Sequence, residues 1–493
     1  MKKLRYVCTK TKYTLFGNKN LLSKDICDLC YRSAEARKNT IFFCLKGAHT
    51  DGHNFAAEAY KNGARIFVCE HILPLPQDAL QIIAKNSRFA LAEFSAEFFD
   101  HPERKLKLIG ITGTKGKSSV CEMIFHILTQ AGKKAASIGT LGIKIGDYTE
   151  ETQNSTPESY VLYKAFAKML SLGIEYVAME VSSQAVMQHR VHGLHFIAAV
   201  FTNLSRDHIG DGEHPNFEHY KACKKAIFKS ADMAFINADS PFAAEFAKVA
   251  CRVQTYGTEN ADFTAKNINN FCSKKVFGVS FLCRAKNGDF YVNLPIPGDF
   301  SVCNALAAIS VCRHLGIGTE ACSFALATVH VRGRFELVET KRRDITCIID
   351  YAHNGESLRT VLGTLREYAR RRIICVFGSV GGRTQMRRRE LALAADELAD
   401  ICIVTSDNPD FEPPEDIIGE IAEYISPKKC FCITDRAQAV RCALEMAESG
   451  DFLLFAGKGH EEYQLICGKK LPFSERELIK KYAEYSFLGL NQI

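Results

Sequence analysis

The sequence is short of several features, and each absence removes a class of protein. No apolar run is long enough to span a bilayer, which excludes a helical membrane protein. The opening residues, MKKLRYVC, hold two lysines but no apolar core of signal-peptide length, so a cytoplasmic protein is expected. Paired cysteine motifs are missing. Of twenty cysteines, Cys27 and Cys30 form the only C-x-x-C, and no second pair follows to complete a zinc site. Free buried thiols in a reducing compartment explain the rest better than disulfides do. Although the net charge is +7, there is no dense Lys/Arg tract, which argues for anionic small substrates and against nucleic acid. No internal repeat or low-complexity tract stands out.

What is present is a globular composition, 47% hydrophobic and 24% charged, in 493 residues, enough for about three domains. The most informative stretch is KLIGITGTKGKSSVCEMIFHILTQAG, Lys107 to Gly132. Leu108 to Thr112 reads as a buried strand. Val120, Met123, Ile124, Ile127 and Leu128 then mark one apolar helix face, and Gly132 is placed to stop that helix. Between them lies Gly113-Thr114-Lys115-Gly116-Lys117-Ser118-Ser119. Glycines let backbone N–H groups close around phosphate oxygens, and the helix start adds its positive end. Lys117 would reach the terminal phosphates and the Ser118 hydroxyl would hold Mg²⁺. GxxxxGK[ST] asks for glycine at 111, where this chain has Ile111; the alternative is a glycine turn that only caps a helix.

The region before residue 107 reads as a small α/β domain, with strands at Ile41–Leu45 and Arg65–Cys69 around a helix at Phe55–Tyr60. Tyr148 to Glu158 reads as a polar loop. Ile174 to Val181 reads as a strand that delivers Glu180 to its carboxyl end, where a second Mg²⁺ contact beside a phosphate loop belongs; a cap or salt-bridge partner is the other reading. Phe196 to Leu204 reads as a strand leading to Asp207 and His208, a metal ligand or a simple turn. A helix from Tyr220 to Phe228 carries Lys224 and Lys225, which chemistry alone leaves as solvated lysines.

From about Val331 onward, strands at Ile345–Asp350, Ile373–Gly378, Ile401–Thr405 and Phe452–Gly457 alternate with helices such as Leu391–Leu398 and Ala437–Ala447. That alternation predicts a parallel sheet with ligands at the strands' carboxyl ends. The loops there carry Arg383, Asp407, Asn408, Asp410, Gly457 and Glu461. Arg383 suits an amino-acid carboxylate, and Asp407 and Glu461 suit an ammonium. Asn408 and Asp410 taken singly are equally turn residues. Arg387, Arg388 and Arg389 read as a solvated helix face.

In order and spacing, the runs GITGTKGKSS, STPES, EVSSQAVMQHRV, FTNLSRDH and HYKACKKAIF resemble the Mur ligases. Further matches are GDFSVCNALAA, VRGRFE, IIDYAHN, VFGSVGGRTQMRR, TSDNPDFEPPEDI and GKGHEEYQ, which narrow the resemblance to the tripeptide-forming branch. The resemblance covers nearly the whole chain, and the missing glycine at 111 is normal for that family. It implies an α/β protein of three domains. These are a small UDP-muramyl-peptide-binding domain over 1–106, a central P-loop ATPase-type parallel sheet over 107–330, and a C-terminal Rossmann-like domain over 331–493 that takes the amino acid.

The implied partners are ATP, Mg²⁺, a UDP-muramyl dipeptide and an amino acid, with a monomer expected. The implied roles are Lys117 on the terminal phosphate, Ser118 and Glu180 on one Mg²⁺, and His208 on a second. Lys224 aligns with a carbamylated lysine whose two anionic oxygens would face Mg²⁺. Asn304, Arg334 and Asp350 would hold the nucleotide. Ser33, Ser155, Thr156, Ser182, Gln188 and Arg190 would hold the muramyl peptide. The chain departs from the family at Gln184, where His is usual, and at Asn354-Gly355, where Thr-Pro is usual.

Members that take diaminopimelate resemble Asp-Asn-Pro-Arg at 407–410, whereas this chain ends that run in Asp410. A carboxylate there would repel the distal carboxylate of diaminopimelate, so L-lysine or a similar diamino acid is expected. The implied reaction is ATP-dependent amide formation through an acyl phosphate. Rivals are a paralogue with another amino acid or acceptor, a ligase extending folate with glutamate, and a nucleotide-binding regulatory protein without turnover. UDP-sugar binding and substrate-dependent ADP release distinguish these.

Overall fold

The computed structural model describes residues 2–4, 13–47, 50–207, 209–210, 213–272, 276–286, 288–382 and 385–490. His208 and Arg383 lie outside the described residues. Among the described residues no helix is long and apolar enough to cross a membrane. The chain forms two compact units. One holds Met1–Asn267 with Phe281–Val292 and Val302–Leu326, and the other holds Ile268–Ser280, Asn293–Ser301 and Ala327–Ile493.

Besides a two-stranded pair, Lys2–Lys3 with Asp25–Ile26, the first unit contains two large sheets. The smaller runs Thr14–Gly17, Leu80–Ile83, Ile66–Cys69, Thr40–Phe43, Asp28–Cys30, and only its first pair is antiparallel. Its strands Thr40–Phe43 and Ile66–Cys69 are buried along their whole length because both faces are covered. Ile41, Phe43, Ile66 and Val68 pack with Leu91 and Phe94 of the helix Ser87–Phe98, while Phe42 and Phe67 pack on the other side with Ala56 and Ala59. That helix starts where Asn86 accepts from the N–H groups of Arg88 and Phe89. The helix expected at Phe55–Tyr60 is present as Ala56–Lys61, preceded by a 3-10 turn.

The larger sheet has eleven strands, of which the first eight in order are Tyr148–Glu150, Gly142–Ile145, Ala135–Gly139, Tyr176–Glu180, Lys107–Thr112, Ala198–Phe201, Ala234–Asn237 and Val253–Gly257. The five strands from Ala135–Gly139 to Ala234–Asn237 pair in parallel. Lys107–Thr112 lies in the middle, and the chain leaves it leftward and later returns to its right. Their carboxyl ends therefore open a crevice where ligands of such sheets bind.

The edge differs from the sequence expectation. Tyr148–Glu150, read as loop, is a short strand paired antiparallel with Gly142–Ile145 through the two-residue turn Gly146-Asp147. All three of its residues are exposed, so no hydrophobic pattern marked it; the Gly-Asp turn, with Gly146 at φ +57°, was the available signal.

The second unit is built on a six-stranded sheet ordered Glu336–Val338, Thr346–Asp350, Phe452–Ala456, Ile373–Phe377, Ile401–Val404, Cys430–Cys432, parallel except for its first pair. Phe452–Ala456 inserts between strands that are earlier in the chain, so the loops after 350, 377, 404 and 456 share one sheet edge. Helices Gly355–Tyr368, Gln385–Leu398 and Arg436–Met446 link the strands. The hairpin Tyr463–Ile466 with Lys469–Pro472 follows.

Candidate active site

The phosphate loop is held from below by side chains distant in sequence. Gly116 caps the helix Lys117–Gln130 at φ +83°. A Cβ there would stand 2.5 Å from Oδ1 of Asn304, so only glycine lets this loop meet the helix Asp299–His314. Asn203 accepts from the Lys115 N–H at 2.9 Å and donates to its carbonyl at 3.1 Å, and Thr202 Oγ1 donates to the same carbonyl at 2.6 Å. Thr114 Oγ1 lies 3.0 Å from the Tyr220 hydroxyl and accepts from the Ser205 N–H.

Lys117 folds back over the loop, donating to the carbonyls of Gly113 at 2.9 Å and Thr114 at 2.8 Å. Lys224, on the helix Phe217–Ala226, comes up underneath and donates to the Gly113 carbonyl at 2.6 Å. Its side chain is buried, with the amine 4.6 Å from the Tyr220 ring. Burial, then the charge of Lys117, pushes the Lys224 amine well below the ordinary lysine range.

Glu180 ends its strand in register with Ile111, beside the loop, and is 1% exposed. Thr140 donates to it twice, from N–H at 2.7 Å and from Oγ1 at 3.2 Å. Among the described residues it has no ion-pair partner. A buried carboxylate held by neutral donors beside a buried serine hydroxyl, Ser118, suits a hard dication with oxygen ligands. Ser119 lies half-buried on the next helical position.

The residues assigned to the muramyl peptide fall in two places. Ser33 lines a cleft of about 860 Å³ between the two sheets of this unit, together with Arg32, Arg37, Arg88 and Lys164. Ser155, Thr156, Ser182, Gln188 and Arg190 gather at one margin of it. Arg190 donates to Glu158 at 2.9 Å, to the Thr156 carbonyl at 3.0 Å and to Gln188 at 2.6 Å, and Arg88 reaches the same Glu158 oxygen at 2.7 Å. Thr156 Oγ1 donates to the Glu180 carbonyl at 2.9 Å, which ties this margin to the strand end that carries the Glu180 carboxylate. Ser182 caps the helix Ser183–Met187.

In the second unit, Asp407, Asn408, Gly457 and Glu461 meet around a lysine that sequence reasoning overlooked. Lys458 is fully buried and donates to Asn408 Oδ1 and Glu461 Oε2, both at 2.8 Å, with Asp407 Oδ1 at 3.6 Å. Asn408 also donates to Glu461 at 2.9 Å. Burial raises the Glu461 carboxyl, but Lys458 and Asn408 outweigh it and hold the group below its ordinary range. Gly457 is at φ +105°, and a Cβ would strike Asp407 Oδ2 at 2.6 Å.

Asp410 turns away toward the hairpin. At φ +52° its Oδ1 accepts from the Gly468 N–H at 2.7 Å. Asp350 is buried, which raises its carboxyl, with Arg334 pulling the other way, and it accepts from the Phe335 N–H at 2.7 Å. Arg334 lies 4.9 Å over the Tyr351 ring.

Besides Lys458, the sequence reading passed over Tyr220, Asn203 and Thr140. Lys458 had a signal in its setting, a lysine between the two glycines of GKGHE, whereas Asn203 and Thr140 act only through contacts distant in sequence.

A parallel sheet with a glycine loop at its crevice, a lysine over that loop and a buried carboxylate at the next strand end defines a nucleotide-dependent phosphoryl-handling enzyme. The chain matches the Mur ligase family, catalytic domain over residues 27–98, the Mur ligase middle domain over 111–312, and the Mur ligase, glutamate ligase domain over 333–459. It is 41% identical over 475 residues to the UDP-N-acetylmuramoyl-L-alanyl-D-glutamate--2,6-diaminopimelate ligase of Caldanaerobacter subterraneus subsp. tengcongensis, covering 95% of this chain and 96% of that one. The ligase of the same name from Geobacillus kaustophilus is 38% identical over 470 residues, 92% of this chain and 94% of the relative.

Among solved structures, a UDP-N-acetylmuramoyl-L-alanyl-D-glutamate--2,6-diaminopimelate ligase superposes with a TM-score of 0.67 at 25% identity, covering 99% of each chain. The MurF ligase of Thermotoga maritima in complex with ADP shares the fold at 0.61 and 19% identity, over 93% of this chain and 98% of that one. The chain belongs to the Mur ligase family. It is an ATP-dependent acid–amino-acid ligase of the tripeptide synthetase type.

Proposed function

We propose that this enzyme joins a diamino acid to the free carboxylate of UDP-N-acetylmuramoyl-L-Ala-D-Glu, with ATP as the energy source. The substrate carboxylate attacks the γ-phosphorus, the β–γ bond breaks and ADP leaves. The amine of the amino acid then attacks the acyl carbon, the C–O bond to phosphate breaks, and the amine proton passes to solvent. Lys117 and the loop N–H groups from Gly113 to Ser119 orient the triphosphate and offset charge on the moving phosphoryl group. Asn304, Arg334 and Asp350 are assigned to the nucleoside side. Ser118, Glu180, Lys224 and His208 would hold Mg²⁺, which supplies Lewis-acid charge neutralisation when bound.

Lys224 is the observation that carries this chemistry. A lysine buried under a phosphate loop and pushed toward the neutral amine is in the form that adds CO₂, releasing one proton and leaving a carbamate. The carbamate keeps one N–H for the Gly113 carbonyl and gains two anionic oxygens.

Three working parts, 1–106, 107–330 and 331–493, are supported by the spans of the three family matches, each of which falls inside one part. The basic cleft containing Ser33, with Ser155, Thr156, Ser182, Gln188 and Arg190 at its margin, supports a site for an anionic UDP-muramyl peptide. Asp407, Asn408, Glu461 and Gly457, with Lys458 and Arg383, are assigned to the amino acid.

For the amino acid itself, L-lysine or another diamino acid without a distal carboxylate is favoured, because position 410 holds an acidic residue, its Oδ1 occupied by the Gly468 N–H, and so offers no cation to the distal carboxylate of diaminopimelate. The second reading is diaminopimelate, favoured by the names of relatives 35–41% identical to this chain. Mass spectrometry of the product formed from ATP, the UDP-muramyl dipeptide and an equimolar amino-acid mixture decides between them. A product heavier by lysine supports the first reading, and one heavier by diaminopimelate overturns it.

A further inference from the structure

Away from the nucleotide loop, three metal-ligating side chains converge. His214, in the segment before the helix Phe217–Ala226, meets His219 and Cys223 on that helix, and one ligand atom from each lies within 4.8 Å of the others. His219 and Cys223 are four residues apart, so they share a helix face. The two Nδ1 atoms of His214 and His219 are 2.9 Å apart, and Cys223 Sγ is 3.9 Å from His219 Nδ1. Nitrogen and sulfur ligands on a tetrahedral zinc ion stand about 3.3–3.6 Å from one another, given metal bonds of about 2.0–2.3 Å. The pairs made by His219 need shifts of less than half an ångström, and the His214–Cys223 pair, within 4.8 Å, closes by a side-chain adjustment of about an ångström.

The surroundings support the same assignment. His214 is fully buried, and its other ring nitrogen, Nε2, is 2.8 Å from the hydroxyl of Ser183, itself buried at the start of the helix Ser183–Met187. With Nε2–H donating to Ser183, Nδ1 presents its lone pair to the cluster, which is how outer partners orient a ligating histidine. The ring also packs 5.3 Å from that of Tyr220, which fixes its plane. Two imidazoles facing each other through like nitrogens can share only one proton between them; a cation satisfies both lone pairs.

We propose that His214, His219 and Cys223 form a binding site for a borderline transition-metal dication of the zinc class, with a fourth position left for water or another donor. This inference is independent of the ligase reading. Imidazole and thiolate donors select against Mg²⁺, which wants oxygen, so the site is distinct from the one at the phosphate loop. Cys223 binds as thiolate and its proton passes to solvent. The spacing, H-x₄-H-x₃-C, falls outside the paired C-x-x-C pattern on which the sequence argument against zinc rests. Because the same helix carries Tyr220 and Lys224, the metal would pin the underside of the phosphate loop to the helix Ser183–Met187.

Full-length protein stripped by chelation and dialysed into excess Mg²⁺ is titrated with Co²⁺, followed by absorption. One equivalent should produce visible ligand-field bands and a near-ultraviolet thiolate-to-cobalt band, both displaced by Zn²⁺. Cys223→Ala should remove the thiolate band, and His219→Gln should weaken binding at least about tenfold. Other cysteines are present, so a thiolate band that survives in both variants overturns the proposal, as does the absence of any thiolate band in the wild type. If Cys223→Ala does not fold, His219→Gln, at a half-buried position, carries the test alone through the same titration.

Discussion

Replacing Lys458 with methionine keeps the length of the side chain and removes its charge. In the folded protein Lys458 is fully buried and bridges Asn408 and Glu461 at 2.8 Å, with Asp407 at 3.6 Å. Methionine would preserve the hydrocarbon packing and leave two largely buried carboxylates facing each other. Breaking one side of such a pair costs about 3–5 kcal/mol, because the remaining charge is left uncompensated. In a unit of roughly 150–250 residues each kcal/mol moves the midpoint by about 2–4 °C, so the transition of the C-terminal unit should fall by about 6–20 °C.

The pH dependence has a definite sign. Glu461 has a folded-state carboxyl held below its ordinary value of 4.5, so its contribution is present above that value and is lost as pH falls through the folded one. The gap between wild type and Lys458→Met should therefore narrow below about pH 4.5. Differential scanning calorimetry at pH 7.5 and at pH 4 measures both effects. A variant melting within about 2 °C of wild type at pH 7.5 would refute the claim that Lys458 compensates these carboxylates.

Lys117→Ala should abolish ATP-dependent ligation while leaving the melting profile nearly unchanged, since the side chain is half-buried and its hydrogen bonds to the Gly113 and Thr114 carbonyls lie within its own loop; near-normal turnover contradicts its role. Lys224→Ala should lose at least about a hundredfold in kcat, with part restored by added formate or acetate, because a small carboxylate can replace carbamate oxygens; unchanged kinetics remove the carbamate. Gly116→Ala places a methyl against Asn304 at a left-handed position and should raise KM for ATP, read from initial rates. Asp410→Arg should shift the diaminopimelate-to-lysine ratio of kcat/KM by about tenfold or more toward diaminopimelate, the equivalent of about 1.4 kcal/mol; a ratio that does not move removes position 410 from specificity.

The strand–turn–helix around Gly113 was legible because everything that makes it is local: an apolar run, glycines, and a helix face repeating every three to four residues. The observed elements, Lys107–Thr112 and Lys117–Gln130, keep those bounds closely. Most other strands appear one to three residues shorter than their apolar runs, and Phe196–Leu204 is five shorter, since residues such as Ile174 and Leu204 remain apolar beyond the paired ladder. Long-range contacts left no local trace. Lys224 meets Gly113 across 111 residues, and nothing in KACKKA distinguishes it from Lys225. Lys458 was passed over because a lysine in a glycine turn reads as solvated. The hydrogen bond that Asp410 accepts from the Gly468 N–H likewise depends on a hairpin 58 residues away.

The central claim is that ATP hands its outermost phosphoryl group to a peptide carboxylate at this loop. The most direct measurement supplies ATP, Mg²⁺ and UDP-N-acetylmuramoyl-L-Ala-D-Glu with hydroxylamine in place of the amino acid, and scores hydroxamate and ADP together. The account predicts hydroxamate formed one-for-one with ADP, and neither product when the dipeptide's terminal carboxylate is amidated. ADP released at the same rate from the amidated peptide, with no hydroxamate from the free one, would contradict it.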